Sequence, residues 1–354
     1  MSDDAVRRVE ALVRAARIIA DPTSDLGRRA RPLLVESTGL SAENVELALT
    51  ECLETAPSAG EIAALVASVE PAPRAHVILP ANVFIAAHRA MALALAGSPH
   101  VFARPSRREP HFAALLAAAV PDLFVITPKI QPTSGDHVWA YGGHTSLAAI
   151  FGSLPPGVHL HAQGPGYGVA VLDAAHLDAE TARALAADIV PFDQRGCLSP
   201  RAALVEGTLA DATRFAELVA QALANAAARI PRGRLDAAEL ADIRAFRDAH
   251  AYAGPVFAAG PGHVAVTAER WTTAPVGRHL VVTSTEDALG MLRSRRSELT
   301  SLGVAADDHA ERLEKFFPNV RISRVGRMQR PAFDGPVDRR QPASGASTPN
   351  AALP

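Results

Sequence analysis

Apolar positions recur with a helical period through the first 70 residues of the chain. Residues 5–20 form an amphipathic stretch. Residues 41–55 open on a serine cap and carry Glu43 in the first turn, where a negative charge suits the helix dipole, and residues 58–69 follow. From His76 the texture changes. Short apolar runs at 76–79, 100–103, 123–127, 137–140 and 167–172 predict strands, and longer periodic runs at 83–96, 109–120 and 145–151 predict helices between them. Helix and strand alternating at this pitch predict βαβ units and a parallel, doubly wound sheet. A second block, from Asp193 to Val325, begins with a turn of Gly, Cys, Ser and Pro. It continues with a helix at 211–230, strands at 264–267 and 280–283, and helices at 286–294 and 308–316. Residues 341–354 are rich in Pro, Ser and Ala without apolar periodicity, so this tail is expected to be disordered and without catalytic role.

Composition narrows the class. The 354 residues are 48% hydrophobic and 20% charged with a net charge of −2, an ordinary soluble balance in a length that suits two domains. Near-neutral charge argues against nucleic acid or an anionic membrane as the main partner. No apolar run reaches the ~20 residues of a spanning helix; the closest, 112–127, is broken by Pro121 and Asp122. The polar, acidic start lacks a secretory h-region, and two cysteines, Cys52 and Cys197, fit a reducing compartment. The expected location is the cytoplasm. No His, Asp and Glu share metal-ligand spacing, so no metal is expected. Oligomeric state is left open, a homo-oligomer included.

Candidate chemistry centres on Cys197, in Phe192-Asp193-Gln194-Arg195-Gly196-Cys197-Leu198-Ser199-Pro200-Arg201. A cysteine after glycine and just before a helix would face backbone N–H groups and a helix N-terminus, which lower a thiol's pKa and hold an oxyanion. Arg195 would add positive charge. The competing reading is a buried structural cysteine, since Cys is among the most buried residue types. Cys52, inside an amphipathic stretch, is expected to serve packing.

Gln194-Arg195-Gly196-Cys197-Leu198-Ser199 resembles the Gln-x-x-Cys nucleophile loop of the aldehyde dehydrogenase superfamily. The fuller Asp-Gln-x-x-Cys-x-Ser-Pro is similar to the bacterial long-chain acyl-CoA reductases, the branch that makes aldehyde for luminescence. Leu79-Pro80-Ala81-Asn82-Val83 resembles the superfamily's Pro-x-Asn element; by that match Asn82 donates its amide to the thiohemiacetal oxygen, whereas on local grounds it caps the helix that follows. Val101-Phe102-Ala103-Arg104-Pro105-Ser106-Arg107-Arg108 is similar to the strand ending in Lys-Pro-Ser that receives the adenosine ribose, with Arg104 in place of lysine. Arg104, Arg107 and Arg108 would suit a 2′-phosphate, the alternative being a solvated basic turn. Tyr141-Gly142-Gly143-His144-Thr145 resembles the Gly-Ser loop that meets the cofactor pyrophosphate. Arg324-Val325-Gly326-Arg327-Met328-Gln329-Arg330-Pro331, with Phe333-Asp334-Gly335, resembles the reductases' closing Gly-x-x-Gln-x-Pro and Asp-Gly.

The resemblance covers roughly residues 75–338. It implies an α/β, aldehyde-dehydrogenase-like protein with a Rossmann-type cofactor domain at 1–191, including the helical N-terminus, an α/β catalytic domain at 192–325, and a closing arm at 326–340. It also implies an NADPH-linked enzyme that takes an acyl group from CoA or a carrier thioester onto Cys197 and releases aldehyde. Hydrolytic aldehyde dehydrogenases carry a water-activating glutamate in a Glu-x-Gly-Gly element; here the corresponding stretch is His161-Ala162-Gln163-Gly164-Pro165-Gly166, with no carboxylate. That favours thioester reduction over aldehyde oxidation. His144, His161 and His263 are candidate acids or bases but read more simply as surface or core histidines. The alternatives are an NAD(P)-dependent aldehyde dehydrogenase or acyl-phosphate reductase on the same fold, and a catalytically degenerate scaffold or partner subunit.

Overall fold

The computed structural model describes residues 3–340; the tail expected to be disordered, 341–354, lies outside the described residues. The N-terminal helices are α1 (Asp3–Ala20), α2 (Asp25–Thr38), α3 (Ala42–Leu47) and α4 (Ala59–Ala67). The predicted helix over 41–55 is cut short: after α3 the chain winds into a π-helical turn over Ala48–Cys52, and the thiol of Cys52 is buried as a packing residue should be. The chain forms two compact units, residues 3–38, 49–165 and 332–340 in one, and residues 39–48 and 166–331 in the other.

The first unit is built on a five-stranded parallel sheet. Its strands are β1 (Ala75–Ile78), β2 (Val101–Arg104), β3 (Val125–Ile126), β4 (His137–Tyr141) and β5 (His159–Gln163), in the order β3-β2-β1-β4-β5. Between them run α5 (Ala86–Gly97), α6 (His111–Ala119) and α7 (His144–Ser153). The chain moves outward from β1 through β2 to β3, then crosses back to β4 on β1's other side. Such a switch point opens a crevice at the carboxyl ends of the strands, where doubly wound sheets bind ligands. Small side chains explain why α5 can be buried on almost every side: Ala87, Ala90, Ala92, Ala94 and Ala96 let neighbouring elements approach closely.

Residues 332–340, the last part of the expected closing arm, fold onto this unit. Phe333 is buried, stacks on His88 with ring centroids 5.3 Å apart and lies beneath the Arg89 guanidinium at 5.0 Å. Arg89 also donates to the carbonyls of Ala332 (2.7 Å) and Gly335 (2.9 Å) while its Nε meets Glu54 (2.9 Å).

The second unit holds a seven-stranded sheet. In chain order its elements are β6 (Tyr167–Asp173), α8 (Ala179–Ile189), β7 (Pro200–Glu206), α9 (Leu209–Arg229), α10 (Ala237–Ala253), β8 (Val256–Ala259), β9 (Gly262–Ala268), β10 (Leu280–Thr285), α11 (Ala288–Arg293), β11 (Leu299–Val304), α12 (Asp307–Phe316) and β12 (Arg321–Arg324). The strand order is β12-β11-β6-β7-β10-β9-β8, parallel except for the β8–β9 hairpin. β6, which the sequence pattern attached to the first sheet, lies at the centre of the second, between β11 and β7. Its residues feed both hydrophobic cores of this unit, Ala170 and Leu172 on one face, Val169 and Val171 on the other. A strand buried on both faces is apolar throughout, so its sequence carries no mark of which sheet it joins.

Candidate active site

At the head of β7 the chain makes a tight turn that carries Cys197. Ser199 N–H donates to the Gly196 carbonyl (3.1 Å) across it, and the thiol is partly exposed between buried Gly196 and Leu198. A strand, not the expected helix, follows. Residues 202 and 204 enter one core and 203 and 205 the other, and a short apolar run of that kind does not distinguish a buried strand from a helix. No helix dipole therefore points at Cys197 from its carboxyl side. Nor does Arg195 bring unspent charge: its Nε and Nη2 grip both oxygens of Glu239, at 2.8 and 3.0 Å.

The geometry instead assigns the motif's other residues to fixing this turn. Phe192, Asp193 and Gln194 all have positive φ (56°, 48° and 65°), a conformation that non-glycine residues seldom adopt consecutively. Such strain persists only where the surroundings over-determine it, and here they do. Asp193 is fully buried and accepts from Arg278 Nε (3.0 Å), Asn44 Nδ2 (3.2 Å) and Gly233 N–H (2.9 Å). The Gln194 amide donates to the carbonyls of Pro200 (2.7 Å) and His279 (2.5 Å), and its oxygen accepts from the N–H groups of Arg278 and His279. Gln194 thus ties the start of β7 to the start of β10.

On the other side, Gly168 N–H donates to the Ser199 carbonyl (2.9 Å) and Ser301 Oγ to the Leu198 carbonyl (3.1 Å). A Cβ at Gly168 would fall 2.5 Å from that Leu198 oxygen, so only glycine lets β6 pass this close. Ser199 Oγ accepts from Gln329 Nε2 (3.2 Å), the glutamine of the Gly-x-x-Gln element, so residues 326–331 serve the Cys197 turn within this unit. Sequence reading missed Asn44, Asp188, Arg278 and His279, whose only sequence mark is a polar side chain amid apolar neighbours.

In the first unit the remaining candidates share one edge of the sheet. Asn82 follows β1, Arg104 ends β2 with Ser106, Arg107 and Arg108 beyond it, and Gly142 and Gly143 follow β4; in register, Ile78 pairs with both Arg104 and Ala140. Asn82 is exposed and does not cap α5, which begins at Ala86 without a side-chain cap. Ser106 Oγ accepts from Arg108 N–H (3.2 Å) and shapes the arginine turn. Arg104, Arg107 and Arg108 are exposed, and among the described residues no carboxylate pairs with them. Gly143 is the N-cap of α7 and supplies no side chain to its first N–H groups; a Cβ there would meet nothing within 4 Å. A ten-residue helix with an uncapped start, behind a turn without side chains, fits a dinucleotide pyrophosphate.

Two of the candidate histidines pack against neighbouring rings. His161 stacks on Trp139 at 4.0 Å and meets His137 Nδ1 (3.2 Å), and burial holds its pKa down at about 4. His263 stacks on His279 at 5.3 Å. His144 is exposed at the start of α7. Among the described residues no cluster of His, Cys, Asp and Glu is arranged to hold a metal, and no helix is long and apolar enough to cross a membrane.

This architecture is that of the aldehyde dehydrogenases. The chain is similar in fold to an NAD-dependent benzaldehyde dehydrogenase from Corynebacterium glutamicum (TM-score 0.66, 17% identity, covering 90% of this chain and 80% of that one). It is similar also to lactaldehyde dehydrogenase from Escherichia coli (0.63, 16%, 91% and 79%). Against a bifunctional proline utilization A protein (0.63, 20%) it covers 91% of its own length and 38% of the other's. No curated protein matches the chain in sequence. Residues 67–338 match the acyl-CoA reductase (LuxC) family, and the chain belongs to that family. It is accordingly an oxidoreductase acting on acyl or aldehyde groups.

Proposed function

We propose that the protein reduces an acyl thioester to an aldehyde through an acyl-enzyme on Cys197, with NADPH as reductant, as a cytoplasmic enzyme. The observation that carries this reading is the Cys197 turn. A partly exposed thiol stands on a backbone over-determined by buried Asp193, Gln194 and Ser199, the preorganisation that covalent catalysis needs.

In this reading the Cys197 thiolate attacks the thioester carbonyl. The carbon–sulfur bond to CoA or a carrier breaks, and the leaving thiolate takes a proton from solvent. Bound NADPH would supply the hydride that the acyl carbon accepts, leaving NADP⁺. The resulting thiohemiacetal oxyanion on Cys197 is stabilised by backbone N–H groups, with Asn82 assigned as a side-chain donor by the family resemblance alone, then collapses to aldehyde and regenerates the thiolate. Gly142, Gly143 and the start of α7 would hold the pyrophosphate, Ser106 would face the ribose, and Arg104, Arg107 and Arg108 would hold the 2′-phosphate. Residues 161–166 offer no carboxylate to activate water, so the acyl-enzyme should outlast a pause in hydride supply. Incubation with an acyl-CoA and no NADPH should add one acyl mass to the peptide containing Cys197. The adduct should discharge quickly to added thiol and only slowly to free acid. Rapid hydrolysis would sink the reading in favour of an oxidising dehydrogenase.

A further inference from the structure

Asp188, in the last turn of α8, lies outside every motif of the chain's nucleophile loop, yet it is buried to within 1%. Its two carboxylate oxygens accept different N–H groups of one turn, Gly326 at 2.5 Å and Met328 at 2.9 Å. Its backbone carbonyl accepts Gln329 Nε2 at 2.9 Å, and the same nitrogen donates to Ser199 Oγ at 3.2 Å. Met328, fully buried between these contacts, fills the space left by two glycines: a Cβ at Gly168 would fall 2.8 Å from its Cε, and one at Gly303 2.5 Å from its sulfur.

A buried carboxylate is costly to desolvate, and hydrophobic packing alone could have joined α8 to the turn at lower cost. What a carboxylate adds is direction. Two acceptors on one rigid plane fix the rotation of residues 326–328, and that rotation decides where the Gln329 amide points. Gln329 is in turn the donor to Ser199, whose backbone closes the turn over Cys197.

We propose that Asp188 is a positioning residue for the Cys197 thiol, acting through the Gly326–Gln329 turn and Ser199. The proposal rests on Cys197 being the nucleophile, but its central readout does not need turnover. Asp188→Asn keeps size and one acceptor oxygen while turning an N–H donor towards an N–H donor. Gln329→Met keeps length and removes the donor to Ser199 and to the Asp188 backbone carbonyl while leaving the Asp188 carboxylate and its two N–H partners in place, and so carries the test if the first variant folds poorly. At a pH where the thiol is fully ionised, iodoacetamide reports exposure of Cys197 rather than its ionisation, with Cys52 as the buried internal control. Each variant should alkylate Cys197 about fivefold faster than wild type, a coupling near 1 kcal/mol. Thioester reduction should lose kcat with KM nearly unchanged. The double variant should be no faster in alkylation than the faster single one, because both act along one path. Alkylation at the wild-type rate in either folded variant, or effects that multiply in the double variant, overturns the proposal. Reductase activity surviving in Cys197→Ala would instead remove the nucleophile reading, while the alkylation result would stand.

Discussion

Asp193 and Arg278 form an ion pair at 2.9 Å in which neither side chain reaches solvent. Burial lowers the guanidinium's pKa and the Asp193 charge opposes that. Asp193 stands four residues before Cys197, and Arg278 in the loop leading into β10. The pair joins the strained approach to the Cys197 turn to the start of β10 in the second sheet. Removing one partner leaves the other charge buried and alone, which costs about 3–5 kcal/mol. Asp193→Ala should therefore lower the unfolding free energy from denaturant titration by about that amount. A loss below about 1 kcal/mol, the scale of a surface pair, would show that the burial is not maintained in solution.

Asn82 does not cap α5, which leaves its amide available for chemistry. Asn82→Ala should lower kcat by roughly 10²-fold, the usual effect of losing one oxyanion donor, with thermal stability unchanged. Steady-state kinetics decide the matter: a changed KM at constant kcat would take Asn82 out of the oxyanion role.

Three exposed arginines that have no carboxylate partner among the described residues suit a 2′-phosphate. The ratio of kcat/KM for NADPH over NADH should exceed one and should fall in Arg104→Ala, Arg107→Ala or Arg108→Ala. A wild type that prefers NADH refutes the cofactor assignment, and a preference that none of the three variants alters moves the phosphate site elsewhere.

Burial pushes the Asp188 carboxyl up to about 7 from an ordinary 3.8, against the pull of the N–H groups of residues 326, 328 and 329. Between those values the folded protein keeps a proton that the unfolded chain has released. This contribution to stability is full below pH 3.8 and is lost as pH rises through about 7. Denaturant midpoints at pH 5 and pH 8 should differ more in wild type than in Asp188→Asn, which cannot ionise. Equal differences in the two proteins would assign the decline to another group.

The alternation of elements along the chain determined the fold class and the parallel first sheet, because helical and strand periods are local properties of sequence. The Asp-Gln-x-x-Cys-x-Ser-Pro string was likewise legible as a mark of the family, because a motif of adjacent residues is a local property of sequence. The tertiary structure decided the rest. It placed β6 in the second sheet, since a strand buried on both faces has no preferred partner in its own pattern. It put a strand after Cys197 where a helix was expected, and it neutralised Arg195 with Glu239, 44 residues away. The supports of the Cys197 turn come from Asn44, Asp188, Arg278 and Gln329, separated by up to 285 positions between the first and the last. Their meaning lies in hydrogen bonds that exist only once the chain has folded, and a lone buried polar residue carries no sign in the sequence of the partner that will satisfy it.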